Sequence, residues 1–459
     1  MPSREETEGG MDAPGFVCGR AMRPRATFRV TMLAVLVGVA SSLGVAGASR
    51  GDEPVTSPWV GKRVVQRISD FVLRVNDQVV SPRSFILFYR VEQSRDDWLW
   101  LKAEGKALSG WAKAGEVVEA KKGIEYFTQQ IRVAPQDAFN YEMRATLYHD
   151  RDELEKALAD YDEAIKLDPS HAWVFNNRGI AWTDKREYDR ALADFNEAIR
   201  LDPENANVYN NRGSVWRIKH IEDEAIADFN DAIRLFPDYG FAFYNRGLAW
   251  VDKHEYDRAI ADFDHVLALD PQDALAHYNR GLALLHKKSY DRAIVDFDMA
   301  MKLDFKTAEV YFHRGVAFFE IKKHDKAIAD FNECLRLDPR YSQAYFNRGL
   351  AWADQKDYVK AFADYDQAIR LNPAYDQAYV SRAWLLVSCP DAKFRDPKRA
   401  IESATKACEL TRWRDPYEIG TLAAAYVEAG DFDSAAKWQS KANELLNASK
   451  DLDSVPRRR

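Results

Sequence analysis

The feature that most constrains this chain is a period. From Tyr141 to Pro373 its residue types recur every 34 positions. Arginine stands at Arg144, Arg178, Arg212, Arg246, Arg280, Arg314, Arg348 and Arg382, and glycine follows six of these, at Gly179, Gly213, Gly247, Gly281, Gly315 and Gly349. Alanine recurs at Ala157, Ala191, Ala225, Ala259, Ala293, Ala327 and Ala361, with an aromatic four residues later, from Tyr161 and Phe195 to Phe331 and Tyr365. Proline closes most units, as at Pro169, Pro203 and Pro237, while the fifth has Phe305. Each unit holds two apolar-periodic stretches of about 13 residues, long enough for helices. In the second unit they predict helices over Ala172–Lys185 and Tyr188–Leu201. Asp202-Pro203 then stops the chain, because proline disfavours helical geometry in the residue before it. Gly179 and Ala191 are small enough for the paired helices to approach, and Phe175, Trp182 and Phe195 fill the space around them. One hairpin cannot bury both its faces, so neighbours stack into a solenoid.

A 34-residue unit with the order aromatic, Gly, Ala, aromatic, Pro resembles the tetratricopeptide repeat (TPR). The resemblance implies an all-α TPR solenoid, a right-handed superhelix of helical hairpins, with about nine repeats over 136–448. The eighth unit, near 374–411, carries about five extra residues in Cys389–Pro397. The ninth, near 417–446, recovers the spacing with Leu422-Ala423, Gly430, Ala435 and Ala442. Residues 117–134 resemble a lone second helix, so 119–135 is read as a linking and capping helix. Residues 449–459 are expected to form a polar, fraying tail.

Residues 57–118 have a different grammar. Short β-type runs, Arg63–Val65, Phe71–Leu73, Phe85–Val91, Trp98–Leu101 and Gly110–Ala112, are split by turn-forming residues. Alternation in Trp98-Leu99-Trp100-Leu101 puts two tryptophans on one face and two leucines on the other. This stretch, with Gly110-Trp111, resembles bacterial SH3-like domains and implies a small all-β barrel before the solenoid. Two readings of Trp59, Trp98, Trp100 and Trp111 stay open: core filling, or an exposed aromatic groove for a wall peptide or a Pro-rich segment.

Residues 1–48 read as a signal or targeting segment. Arg20, Arg23, Arg25 and Arg29 precede an uncharged run that ends in Ala46-Gly47-Ala48, a small-x-small exit. An uncleaved anchor is the alternative, and Met22 is an alternative start. The expected location is exported, in the periplasm or cell envelope, with membrane contact only through this segment if it is uncleaved. In that oxidising setting the cysteines matter. Cys389 and Cys408 would sit roughly 13 Å apart along antiparallel helices, beyond the about 7 Å a disulfide allows, so no bond between them is expected. Cys334 replaces a repeated core alanine and is expected to be packed. No metal-ligand spacing, Gly-rich phosphate loop or nucleophile motif stands out, so neither enzyme nor cofactor is expected. A net charge of −7 speaks against nucleic acid.

Two sets of repeated polar residues remain. An Asp lies sixteen residues after each Arg, as in Arg178 with Asp194, Arg246 with Asp262 and Arg348 with Asp364, and is placed to supply a structural ion pair. Just before the Arg stand Asn177, Asn211, Asn245, Asn279 and Asn347, with His313 interrupting. The resemblance places this row on the first helix, facing a concave groove, like the asparagine ladder with which some TPR proteins hold a peptide. Asn at this position also simply suits TPR helices, and that reading stays open. Beside the row, Asn176 and Asn210 give way to Tyr244, Tyr278, Phe312 and Phe346. These form either an exposed apolar stripe that marks a binding surface or a stripe hidden by helix packing. Together these features predict an exported scaffold that binds a protein or peptide partner in its groove. The alternative is a wall-attached structural protein whose SH3-like module binds peptidoglycan.

Overall fold

The structure, a computed structural model, describes residues 57–69, 71–75, 78–80, 88–104 and 108–453. The segment read as a targeting signal, with Cys18, lies outside the described residues. Alternating side chains build the first element, an antiparallel sheet of seven strands: β1 Arg63–Gln66, β2 Leu73–Val75, β3 Gln78–Val80, β4 Tyr89–Arg95, β5 Trp98–Ala103, β6 Ser109–Lys113 and β7 Val117–Glu119. Their order is β3-β2-β6-β5-β4-β1-β7. Leu99 and Leu101 of β5 are buried, with Val64, Leu73, Tyr89 and Val91, in one core. Trp98 and Trp100 are half-buried on the opposite face.

The expected helix over 117–134 is corrected at its start. Val117–Glu119 pair with β1 as a strand, Val65 opposite Val118, because the two β-branched residues meet an open sheet edge. The helix α1 therefore begins at Ala120 and runs to Val133. Its Phe127 is fully buried among Val65, Ala120, Met143 and Leu147.

Nine hairpins follow. They are α2 Ala138–Asp150 and α3 Leu154–Leu167; α4 Ala172–Asp184 and α5 Tyr188–Leu201; α6 Ala206–Ile218 and α7 Glu222–Leu235; α8 Gly240–Asp252 and α9 Tyr256–Leu269; α10 Ala274–His286 and α11 Tyr290–Lys302. Then come α12 Ala308–Glu320 and α13 His324–Leu337; α14 Ser342–Asp354 and α15 Tyr358–Leu371; α16 Asp376–Ser388 and α17 Pro397–Leu410; and α18 Pro416–Glu428 and α19 Phe432–Asp453. The last helix carries helical backbone into the segment read as a tail. The chain divides at Ala283–Leu284 into two compact units.

Glycine meets an aromatic ring inside the hairpins. A Cβ on Gly179 would lie 2.7 Å from Phe195 Cε1, so only glycine lets the ring in without a shift. The turn inside each of the first seven hairpins takes left-handed backbone, at Asp152, Arg186, His220, His254, Lys288, Lys322 and Lys356, all non-glycine. At the second hairpin the Arg186 amide donates to Thr183 O and the Glu187 amide to Trp182 O, both at 2.9 Å. This is the paired closure that ends a helix on a left-handed residue. Extended Asp202, φ −137°, lies before Pro203 and ends α5. Cys334, Cys389 and Cys408 are free and buried. No helix among the described residues is long and apolar enough to cross a membrane.

Candidate functional site

The recurring Arg holds two helices at once. Arg178 on α4 grips Asp194 of α5 through Nε (2.8 Å) and Nη2 (2.6 Å). Its Nη1 reaches back to Asp162 of the preceding hairpin at 2.7 Å. Arg246 does the same with Asp262, at 2.9 and 2.6 Å, and with Asn230 at 2.6 Å. Arg348 repeats it with Asp364, at 2.8 and 2.7 Å, and with Asn332 at 2.6 Å. The fork geometry of guanidinium on carboxylate makes these strong, charge-assisted bonds. Asp194 is only 5% exposed. Burial pushes its carboxyl above the ordinary value, while the bond and charge of Arg178 pull it back.

The acceptor on the preceding hairpin was not singled out from the sequence, although its signal is there. Every second helix from α3 to α15 carries Asp, an aromatic, then Asn or Asp: Asp194-Phe195-Asn196 and Asp262-Phe263-Asp264 are two cases. The first residue holds its own hairpin's Arg, and the aromatic sits under the glycine at Gly179, Gly213, Gly247, Gly315 and Gly349. The third takes Nη1 of the next Arg, as Asp264 does for Arg280 at 2.6 Å.

The asparagine row is also tied between hairpins. Asn211 Nδ2 donates to Asn176 Oδ1 at 3.0 Å, Asn245 Nδ2 to Asn210 Oδ1 at 2.9 Å, and Asn279 Nδ2 to the Tyr244 hydroxyl at 2.9 Å. Asn279 Nδ2 also donates to Leu275 O. Asn176 and Asn210, expected in the groove, are instead buried acceptors of these rungs. The Oδ1 atoms of Asn211, Asn245 and Asn279 accept no hydrogen bond among the described residues, and these side chains are half-buried. Asn177 is buried and its Oδ1 lies 3.4 Å from Asn176 Nδ2. Asn347 donates within its own helix, to Gln343 O at 2.8 Å. His313, which interrupts the row, is pushed down to about 4 by burial, against a hydrogen bond with the Glu309 backbone, and is neutral at pH 7.

Of the two readings of the aromatic stripe, packing wins at two positions. Phe312 is 5% exposed and lies 5.0 Å from the Tyr341 ring; Phe346 is 6% exposed and lies 5.0 Å from Tyr375. Each fills the joint with the loop that opens the next hairpin, so neither belongs to an exposed stripe. Tyr244 and Tyr278 are half-buried, and burial raises the Tyr244 phenol. On the sheet, Trp59 packs against the core. Trp100 meets Trp111 edge-on at 5.4 Å, and the Arg74 guanidinium lies 4.9 Å over Trp98. Among the described residues no group of three or more His, Cys, Asp or Glu is arranged to hold a metal ion.

The repeats have known counterparts. Models of the tetratricopeptide repeat match residues 244–304, 308–341 and 342–375, and a TPR repeat model matches 145–182 and 183–216. Among solved structures, the TPR protein YrrB is 28% identical over 43% of this chain and 99% of its own, with a TM-score of 0.36. The Cut9–Hcn1 assembly of the APC/C is 20% identical over 56% of this chain and 50% of its own, with a TM-score of 0.43. PilF of Pseudomonas aeruginosa is 19% identical over 48% of this chain and 94% of its own, with a TM-score of 0.40. No curated protein matches the chain. The helical hairpins of this chain are thus tetratricopeptide repeats, a scaffold type that mediates contacts between proteins.

Proposed function

We propose that this array of tetratricopeptide repeats is an exported scaffold that binds a polypeptide along the row Asn211, Asn245 and Asn279. The observation that supports this is the polarity of the row. Each amide nitrogen is held by the preceding hairpin, which turns an otherwise free rotor into an oriented carbonyl acceptor. An extended peptide has backbone N–H groups to offer such acceptors whatever its side chains, so the row would hold main chain without reading sequence. Tyr244 and Tyr278 stand beside it. Export rests on the segment ending at Ala48, and the mature chain is expected to start at Ser49.

The rungs also join hairpins, so loss of binding must be separated from loss of stability. Removing one amide costs about 1 kcal/mol. Asn245→Ala is expected to weaken capture of an extended peptide, while Asn196→Ala, which removes an Arg212 acceptor elsewhere, destabilises comparably and leaves capture intact. Equal capture by both variants, measured by fluorescence anisotropy on folded protein, removes the row from the site.

A second reading concerns the sheet. Trp98, Trp100 and Trp111 are half-buried outside the core, with Arg74 and Lys113 stacked over Trp98. Such an aromatic face, in what we read as an SH3-like module, is suited to a wall peptide or the sugar faces of peptidoglycan. The chain should then sediment with purified wall material and Trp98→Ala should not; a wild-type chain left in the supernatant ends this reading.

A further inference from the structure

The last hairpin presents an outer face unlike those before it. In inner hairpins the first helix of the next unit packs against both helices of the one before: α8 on α6 and α7, α14 on α12 and α13, α18 on α16 and α17. The residue that opens the second helix takes part in this joint. Tyr290 donates its hydroxyl proton to Glu320 of α12 at 2.8 Å, and the Tyr358 ring meets Phe394 at 5.7 Å. The same position in α19 is Phe432, which is 68% exposed. Val427 at 53% and Tyr417 at 45% share this exposure. Between α18 and α19 lies a crevice of about 420 Å³ whose walls include Ala424, Val427, Phe432, Ala435, Ala436 and Gln439, with no charged side chain. Repeat arrays stay soluble by ending in a polar outer face, and a contiguous apolar face marks a contact.

Two observations select what covers it. The crevice continues the joint that hairpins repeat along the array, so a helical hairpin fits it. It also carries both a knob, Phe432, and an alanine-lined hole, which is what a two-fold contact between identical surfaces needs. We propose that two copies of this chain pack their α18–α19 faces together, with Phe432 of each entering the alanine crevice of the other.

Sedimentation velocity of the full chain over a wide concentration range tests this. The wild type is expected to form dimers. Phe432→Glu should raise the dimer dissociation constant about a hundredfold, as loss of a central aromatic anchor does, with unchanged helical circular dichroism. Ala436→Trp, which fills the crevice, should weaken the dimer as well, and serves if the first variant folds poorly. Val295→Glu, at an exposed apolar site on α11, should remain dimeric. A wild type that stays monomeric throughout, or dimers that survive both Phe432→Glu and Ala436→Trp, overturns the proposal. So does dissociation by Val295→Glu.

Discussion

The seventh and eighth hairpins carry the same arginine in different surroundings. In the seventh, Arg348 grips Asp364 through two bonds, and Gly349 lies under Tyr365. In the eighth, Arg382 still reaches back, to Asp366. Its fork, however, closes on the Ser403 hydroxyl at 3.2 and 3.0 Å. The separation is 21 residues where the others have 16, which measures the insertion at five. Ala383 and Ala404 replace the glycine and the aromatic, and both are buried. The short 3-10 turn Ala392–Phe394 spends the extra residues and puts Phe394 against Tyr358 and Phe362. The helical hairpin therefore survives loss of its carboxylate and its ring. What is kept in both is the bond to the preceding hairpin.

That contrast can be broken most forcefully from the regular side. Asp262→Ala strands Arg246 with its fork unpaired and is expected to cost about 3 kcal/mol, read as a lowered midpoint in urea unfolding. A cost near zero would mean that the pair adds nothing the eighth hairpin lacks.

Glu142 sharpens the contrast at the other end of the array. It occupies the column of Asn176 and Asn210 but is a buried acid, with His171 Nδ1 at 3.3 Å. Burial, with a smaller contribution from Asp168, pushes its carboxyl from 4.5 up to about 8. Between those values the folded chain holds a proton that the unfolded chain has released. The Glu142 contribution to stability therefore falls as pH rises through that window. Glu142→Gln is expected to stabilise by about 2 kcal/mol above pH 8, with the gain fading toward pH 4.5 in thermal melts at stepped pH. A gain that is constant with pH would place the titration elsewhere.

Smaller effects come from repairing the irregular hairpin and the turns. Ser403→Asp offers Arg382 a carboxylate and should add about 1 kcal/mol; no gain would mean that five inserted residues have moved the backbone out of reach. His220→Gly relieves left-handed backbone at φ 58° and should add about 0.5 kcal/mol, glycine's greater unfolded freedom offsetting part of the relief.

Much of this was legible in the sequence, for a physical reason. The helices α4 and α5 lie within one residue of the reading from periodicity, because Pro203 and the small residues leave the backbone few choices. The Arg–Asp spacing was equally plain, since sixteen residues across a tight hairpin bring two side chains level. The joint between hairpins was less so. Asn176, Phe312 and Phe346 read as groove residues because a helix wheel shows which way a side chain points, not which neighbour comes to cover it. Val117 and Val118 read as helix because their neighbours do, while the sheet edge that claims them lies more than fifty residues earlier in the chain. The Trp face of β5 stayed open for a related reason: alternation separates two faces without saying what either one meets.

The Arg that reaches back to the previous hairpin has a mechanical consequence. Each such bond joins a unit only to its neighbour, so a pull on the chain ends loads these links in series, and the array yields where a link is weakest. The pull also runs through each hairpin in turn, and inside α16–α17 a hydroxyl stands where the regular hairpins have a carboxylate, so that hairpin is the expected fuse. Under stretching in an optical trap it should give way while the regular hairpins hold, and it should re-form on slackening because its neighbours keep its two docking faces in place.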